Sequence, residues 1–206
     1  MRRLAILTLI VFCIFSSLQS SAQTVSPIDH VRTMTDSAVE ILSTETDSPN
    51  RQQKFQRLLF EYVDMQTVCK YVLIRSGEKN QHARWDAATA EEKREFCQLF
   101  GRLIERTFQN RIIGENPNLH GLEFRYSQQI DGNRAEVQMR VEREQKDPIT
   151  ADFWLSRRDG QWKVYNIAAL GVNFAGNYRQ QFSSKRFADK SVGELITILK
   201  EKISTW

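Results

Sequence analysis

Apolar residues recur along this chain with two periods, first helical and then strand-like. Ser26, Pro27 and Asp29 supply a cap, a first-turn proline and an acid, and Val31, Thr35, Ala38 and Leu42 follow on one stripe, which predicts a helix. A linker from Thr44 to Asn50 ends it, and Ser48 and Pro49 open a second helix with Phe55, Leu58, Leu59, Tyr62 and Val63 inside. Asp64 is placed to cap a third, whose inner face is Met65, Val68, Cys69, Val72 and Leu73. The polar stretch Arg75 to Arg84 reads as a loop. Thr89 and Glu92 then form a capping box before the broad stripe Phe96, Leu99, Phe100, Leu103, Ile104 and Phe108.

Beyond about Leu119 the period falls to two. Ala135, Val137, Met139 and Val141 alternate with Arg134, Glu136, Gln138, Arg140 and Glu142, the pattern of a strand with one dry and one wet face. Leu122, Phe124 and Tyr126 form a weaker strand before it, joined through Asp131-Gly132-Asn133. After Asp147-Pro148 come Ala151, Phe153 and Leu155, then an Asp159-Gly160 turn, then Trp162 and Val164. The chain returns to helix from about Phe174 to Phe187, and a second capping box, Ser191 with Glu194, starts a last helix through Leu195, Ile196, Leu199 and Ile203. Helices before and after one run of strands predict an α+β domain: a curved, four-stranded antiparallel sheet with helices packed on one face.

Residues 1–22 carry Arg2 and Arg3, an apolar run from Leu4 to Phe15 and small residues at Ser20 and Ala22, the features of a secretory signal peptide. The run is shorter than the roughly 20 residues of a membrane-spanning helix. Residues 23–206 are expected to form one soluble domain outside the cytoplasm. Of 29 basic side chains, removal of Arg2 and Arg3 leaves 27 against 25 acidic ones, so the mature net charge of +2 gives no general attraction for nucleic acid. Cys69 and Cys97 then remain. Both fall on apolar helical faces, where cysteine commonly acts as a small buried hydrophobe, and sequence does not show whether they stand at bridging distance.

The search for catalytic chemistry is negative. The chain has no Gly-x-Ser-x-Gly elbow, no His-Glu-x-x-His, no phosphate-cradling Gly-Lys-Ser/Thr loop and no Cys-x-x-Cys. His30, His82 and His120 have no second ligand type at metal-binding spacing and read as solvated or structurally bonded. Glu91 and Glu92, like Glu142 and Glu144, lie in a first helical turn or on a wet strand face, where they match dipoles and solvent. Arg157-Arg158 precedes a turn and reads as solvated; Lys185-Arg186 is a two-residue cluster beyond an aromatic segment.

The run Gly-Gln-Trp-Lys-Val-Tyr-Asn-Ile from Gly160 to Ile167, and above all the Gly-Val-x-Phe-x-x-Asn-Tyr-Arg-x-x-Phe block from Gly171 to Phe182, resemble the MlaC family of periplasmic phospholipid-binding, toluene-tolerance proteins. Val63-Asp64-Met65, the Trp85 to Phe96 stretch and the last helix continue the match. Asn166, Asn173 and Phe108 depart from the residues usual in that family. The resemblance implies an NTF2-like, cystatin-like fold that carries phospholipid as cargo without a cofactor or metal. It further implies exchange between an outer-membrane lipoprotein complex and an inner-membrane ABC transporter with an MCE-domain subunit.

On that reading the alternation predicts a cleft floor of Val137, Met139, Val141, Ala151, Phe153, Leu155, Trp162 and Val164. Phe100, Ile104 and Phe108 form the opposite wall, and Val172, Phe174 and Tyr178 stand near the rim. Asn177 and Arg179 read as bonding backbone where strand passes into helix, with Arg179 facing a phosphate as the alternative. Two other functions remain open: an enzyme on the same fold acting on a small apolar substrate, which needs an ionisable pair inside the cone, and a protein-interaction module with a filled core.

Overall fold

The computed structural model describes residues 25–44, 49–75, 79–108, 123–143, 146–169 and 171–205. The expected leader, residues 1–22, and the side chains of Leu42 and Phe108 lie outside that set. Five helices come first: α1 (Pro27–Thr44), α2 (Pro49–Tyr62), α3 (Met65–Val72), α4 (Ala83–Ala87) and α5 (Ala90–Phe108). Strands β1 (Glu123–Asp131), β2 (Arg134–Arg143), β3 (Lys146–Arg158), β4 (Gln161–Ala169) and β5 (Val172–Asn173) follow, and α6 (Phe174–Phe182) and α7 (Val192–Ser204) close the chain. No described helix is long and apolar enough to cross a membrane.

The strands make one antiparallel sheet in chain order, β1-β2-β3-β4-β5. It has five strands where the alternation predicts four. The fifth is two residues long, pairing Asn173 with Ala168 and Val172 with Ala169, too short to display any period in sequence. Gly171, at φ 75°, turns the chain back for that pairing in a conformation a side chain would resist. Between β3 and β4, Asp159 and Gly160 both have positive φ, as a two-residue I′ turn requires.

Alternation puts Ala135, Val137, Val141, Ala151, Phe153, Leu155, Trp162 and Val164 on the buried face, while Glu136, Gln138 and Arg140 are exposed. α1 packs on β1, β2 and β4; α2, α3 and α6 pack on β4. α5 lies behind them against α2 and α3, and α7 behind α5, where Lys200 and Glu95 pair at 2.6 Å. The capping boxes form as read: Thr89 and Glu92 exchange bonds of 2.8 and 3.1 Å, and Ser191 and Glu194 bonds of 2.8 and 3.2 Å.

Two helical boundaries differ from the sequence reading. The polar stretch ends in α4, and the helix expected to reach Phe187 stops at Phe182. One side chain links the two places. Arg84, in α4, is buried and donates to the carbonyls of Phe182 (3.3 Å), Phe187 (3.1 Å) and Ala188, so a distant guanidinium takes up carbonyls of the turns after α6. Cys69 of α3 and Cys97 of α5 are both buried and disulfide-bonded, with Cα atoms 5.9 Å apart.

Candidate functional site

β4 has one residue more than its partner can match. Leu155 pairs with Val164 and Trp154 with Asn166, so Tyr165 is a bulge. The extra residue reverses the parity of the strand: Trp162 and Val164 face inward before it, whereas Ile167 and Ala169, opposite Phe153 and Ala151, continue the inner face after it. A bulge also bends and twists its strand. At this bend a cleft lies between β4 and α5.

The cleft is lined by Leu59, Val63 and Val68 from α2, α3 and the junction between them, by Phe100 and Ile104 from α5, by Val164 to Ile167 from β4, and by Phe174, Ala175 and Tyr178 from α6. Each lining helix has its own reason to be there. Asp64 caps α3 by accepting from the Thr67 amide (2.9 Å) and hydroxyl (2.7 Å), while its own amide donates to the Val164 carbonyl at 2.8 Å. That bond sets the α2–α3 junction beside β4. Asn173 caps α6 by accepting from the Gly176 amide at 2.8 Å, which starts the helix directly after β5.

The cleft surface is apolar, and its free volume is about 50 Å³. A water molecule occupies about 30 Å³ of liquid, and sites for drug-sized ligands usually measure about 300–1,000 Å³. The cleft is therefore a crease between close walls. Among the described residues no Asp, Glu, His, Lys or Arg lines it. The polar atoms nearby include Asn166 Oδ1, which is buried without a hydrogen-bond partner in the structure, and the Tyr178 hydroxyl, 2.8 Å from Thr107 Oγ1. Among the described residues no group of three or more His, Cys, Asp or Glu is placed to hold a metal ion.

The residues expected to form one hollow fall into two places. Phe100, Ile104, Val164, Phe174 and Tyr178 meet at the cleft. Val137, Ala151, Phe153, Leu155 and Trp162 are buried in the continuous core, Met139 packs against that core half-buried, and Val141 is buried. Val172 is half-buried in β5. The sequence reading missed Leu59, Val63, Val68, Tyr165, Asn166, Ile167 and Ala175 as lining residues. Four of them sit on apolar stripes or in the Gly171 to Phe182 block and carried the signal; Tyr165 and Ile167 reach the cleft only through the bulge. Arg179 stacks over the Tyr71 ring at 5.3 Å, between α6 and α3.

Such a structure defines a class: an α+β domain in which a bent antiparallel sheet and its helices enclose an apolar cleft whose described lining includes no carboxylate, imidazole, amine or guanidinium. The profile of the MlaC protein family matches residues 32–201, and the chain belongs to that family. Toluene tolerance protein ttg2D of Pseudomonas putida is 28% identical over 96 residues, 47% of this chain and 44% of that relative, so the alignment spans under half of each. A solved phospholipid-binding protein from Ralstonia solanacearum, determined in complex with a phospholipid, superposes with a TM-score of 0.64 at 22% identity, covering 85% of this chain and 96% of its own. That likeness establishes the shared fold.

Proposed function

We propose that this chain is a carrier of phospholipid in the periplasm, a single domain of residues 23–206 released from a leader of residues 1–22. The observation that carries the reading is the apolar cleft between β4 and α5 in a chain of the MlaC family. Moving a lipid through water exposes its chains, and at about 0.8 kcal/mol per CH2 a chain of about 15 carbons costs roughly 12 kcal/mol to hydrate. A carrier has to replace that water with apolar wall. It needs no acid, base or metal to do so, in keeping with the lining.

Phe100, Ile104, Val164, Phe174 and Tyr178 make first contact with the chains, Val172 stands at the rim, and the core side chains of β2, β3 and β4 form the floor that is reached as the cleft widens. The fold belongs on this reading with NTF2-like, cystatin-like domains, and the partners are the outer-membrane lipoprotein complex and the inner-membrane MCE-domain ABC transporter. For the catalytic alternative, the described lining offers two tyrosines, Tyr165 and Tyr178, and no carboxylate or imidazole to pair with them. The small free volume favours the filled interaction module, and one experiment separates the two: solvent extraction of the purified mature protein followed by mass spectrometry. Near-stoichiometric phospholipid is expected, and Ile104→Glu, which sets a charge on the apolar wall, should lower it at least about tenfold with the helical circular-dichroism signal retained. Absence of lipid from the natural protein would establish the filled module instead.

A further inference from the structure

The walls of the cleft are fastened unequally, and the inequality identifies the seam that gives way. α3 and α5 are joined covalently: Cys69 follows the lining residue Val68, and Cys97 stands one turn before the lining residue Phe100. The α2–α3 junction is tied to β4 and its turn by the Asp64 amide to the Val164 carbonyl, by Arg158 to Asp64 at 3.4 Å, and by Lys163 to the Glu61 carbonyl. α2 closes directly on α5, where a Cβ at Gly101 would lie 3.7 Å from Leu59.

α6 is held at both ends, and its start follows directly on β5, whose Val172 and Asn173 pair with Ala169 and Ala168 of β4. Near its C-terminus the Phe182 carbonyl accepts from Arg84, and Ser183 Oγ donates to the Ile74 carbonyl at 3.2 Å. Its first two turns carry Phe174, Ala175 and Tyr178, and there Tyr178 reaches across to α5. Thr107 Oγ1 gives its one proton to the Leu103 carbonyl at 2.8 Å, so in the 2.8 Å contact with Tyr178 the phenol is the donor. The result is a relay, phenol to hydroxyl to carbonyl, across the α5–α6 seam. The Tyr178 ring also meets Phe100 edge-on, with centroids 4.9 Å apart. Ring contacts tolerate sliding, whereas the relay has directional bonds that must break before the seam opens.

We propose that the cleft widens when the turn of α6 that carries Tyr178 moves away from α5, with the Tyr178–Thr107 hydrogen bond as its latch. The inference rests on the phospholipid-carrier reading. The fold contains its own control: Tyr126 of β1 donates to Thr35 Oγ1 (2.9 Å), which donates to the Arg32 carbonyl (2.9 Å), the same relay at a position off the cleft lining.

The test loads the mature protein with NBD-labelled phosphatidylglycerol and follows transfer of the label to unlabelled phosphatidylglycerol vesicles. Tyr178→Phe and Thr107→Val should each speed transfer about fivefold, as loss of one hydrogen bond predicts, while Tyr126→Phe stays within about twofold of the natural protein. Transfer unchanged in both seam variants, or accelerated equally by Tyr126→Phe, overturns the latch. Failure of the natural protein to take up the label overturns the carrier reading, and the latch with it.

Discussion

The imidazole of His30 lies 4.9 Å from the Tyr62 ring, and its Nε2 is 3.1 Å from the Tyr62 carbonyl. Burial lowers its pKa, the carbonyl bond opposes that, and Lys163 adds to the lowering. The unfolded chain therefore takes up this proton more readily than the folded one, so the stability linked to a neutral His30 is complete above the ordinary value of 6.5 and is lost as pH falls below it. Glu92, Glu123 and Glu194 are held below the ordinary 4.5 by bonds from Thr89, Arg125 and Ser191, and their contribution is lost only at more acid pH. His30→Gln should flatten the stability–pH curve just below about pH 6.5 while keeping the steep carboxylate region at more acid pH, measured by urea titration. An unaltered slope in the upper window would show that His30 is not its source. The sequence left His30 as solvated or structurally bonded, and its bond to the Tyr62 carbonyl, 32 residues away, was not legible there. Nor was Tyr165. Strict alternation continues Trp162 and Val164 through Asn166, and the partner strand that leaves Tyr165 unmatched is a long-range property.

Elements whose determinants are local were the most legible. Thr89 with Glu92 and Ser191 with Glu194 carry their caps within one turn, and each helix starts where its box stands. β5 and the end of α6 depend instead on distant partners, the Ala168–Ala169 edge and the Arg84 guanidinium. The α3–α5 bridge is also tertiary, because two apolar helical faces give no measure of the distance between them. It closes a sequence separation of 28 residues. On a chain-entropy account that closure stabilises the fold by about 3.5 kcal/mol. Cys69→Ala combined with Cys97→Ala should lower the unfolding free energy by about 2–4 kcal/mol in urea, and a loss under about 1 kcal/mol would mean that the linked helices remain together in the unfolded chain.

Across the whole molecule one apolar core runs from α1 to α7, and its α+β layering was legible from the order of the two periods. Where that core parts was not. Val137 is 0% exposed and Phe100 1% exposed, yet only Phe100 borders the cleft. A wall and an interior demand the same residue types, so hydropathy cannot distinguish them. A cargo that binds only the folded chain adds to its stability in proportion to the logarithm of its concentration over its dissociation constant. Stripping bound lipid with organic solvent and refolding should therefore lower the melting temperature, and vesicles should restore it. Identical melting before and after stripping would contradict a cargo held by the native state.

The Cys69–Cys97 bond also bears on how the molecule is made. The full chain has three cysteines, and the other, Cys13, lies in the apolar run from Leu4 to Phe15. On the proposed reading, in which residues 1–22 are a cleaved leader, loss of Cys13 leaves each remaining thiol a single possible mate within its own molecule, so a simple oxidant would complete maturation with no isomerase to sort errors. Made in a reducing cytosol with its leader attached, the same polypeptide would carry a competitor for each of those thiols into any later oxidation. On that reading, leader removal before oxidation is the order of events that would deliver a homogeneous product.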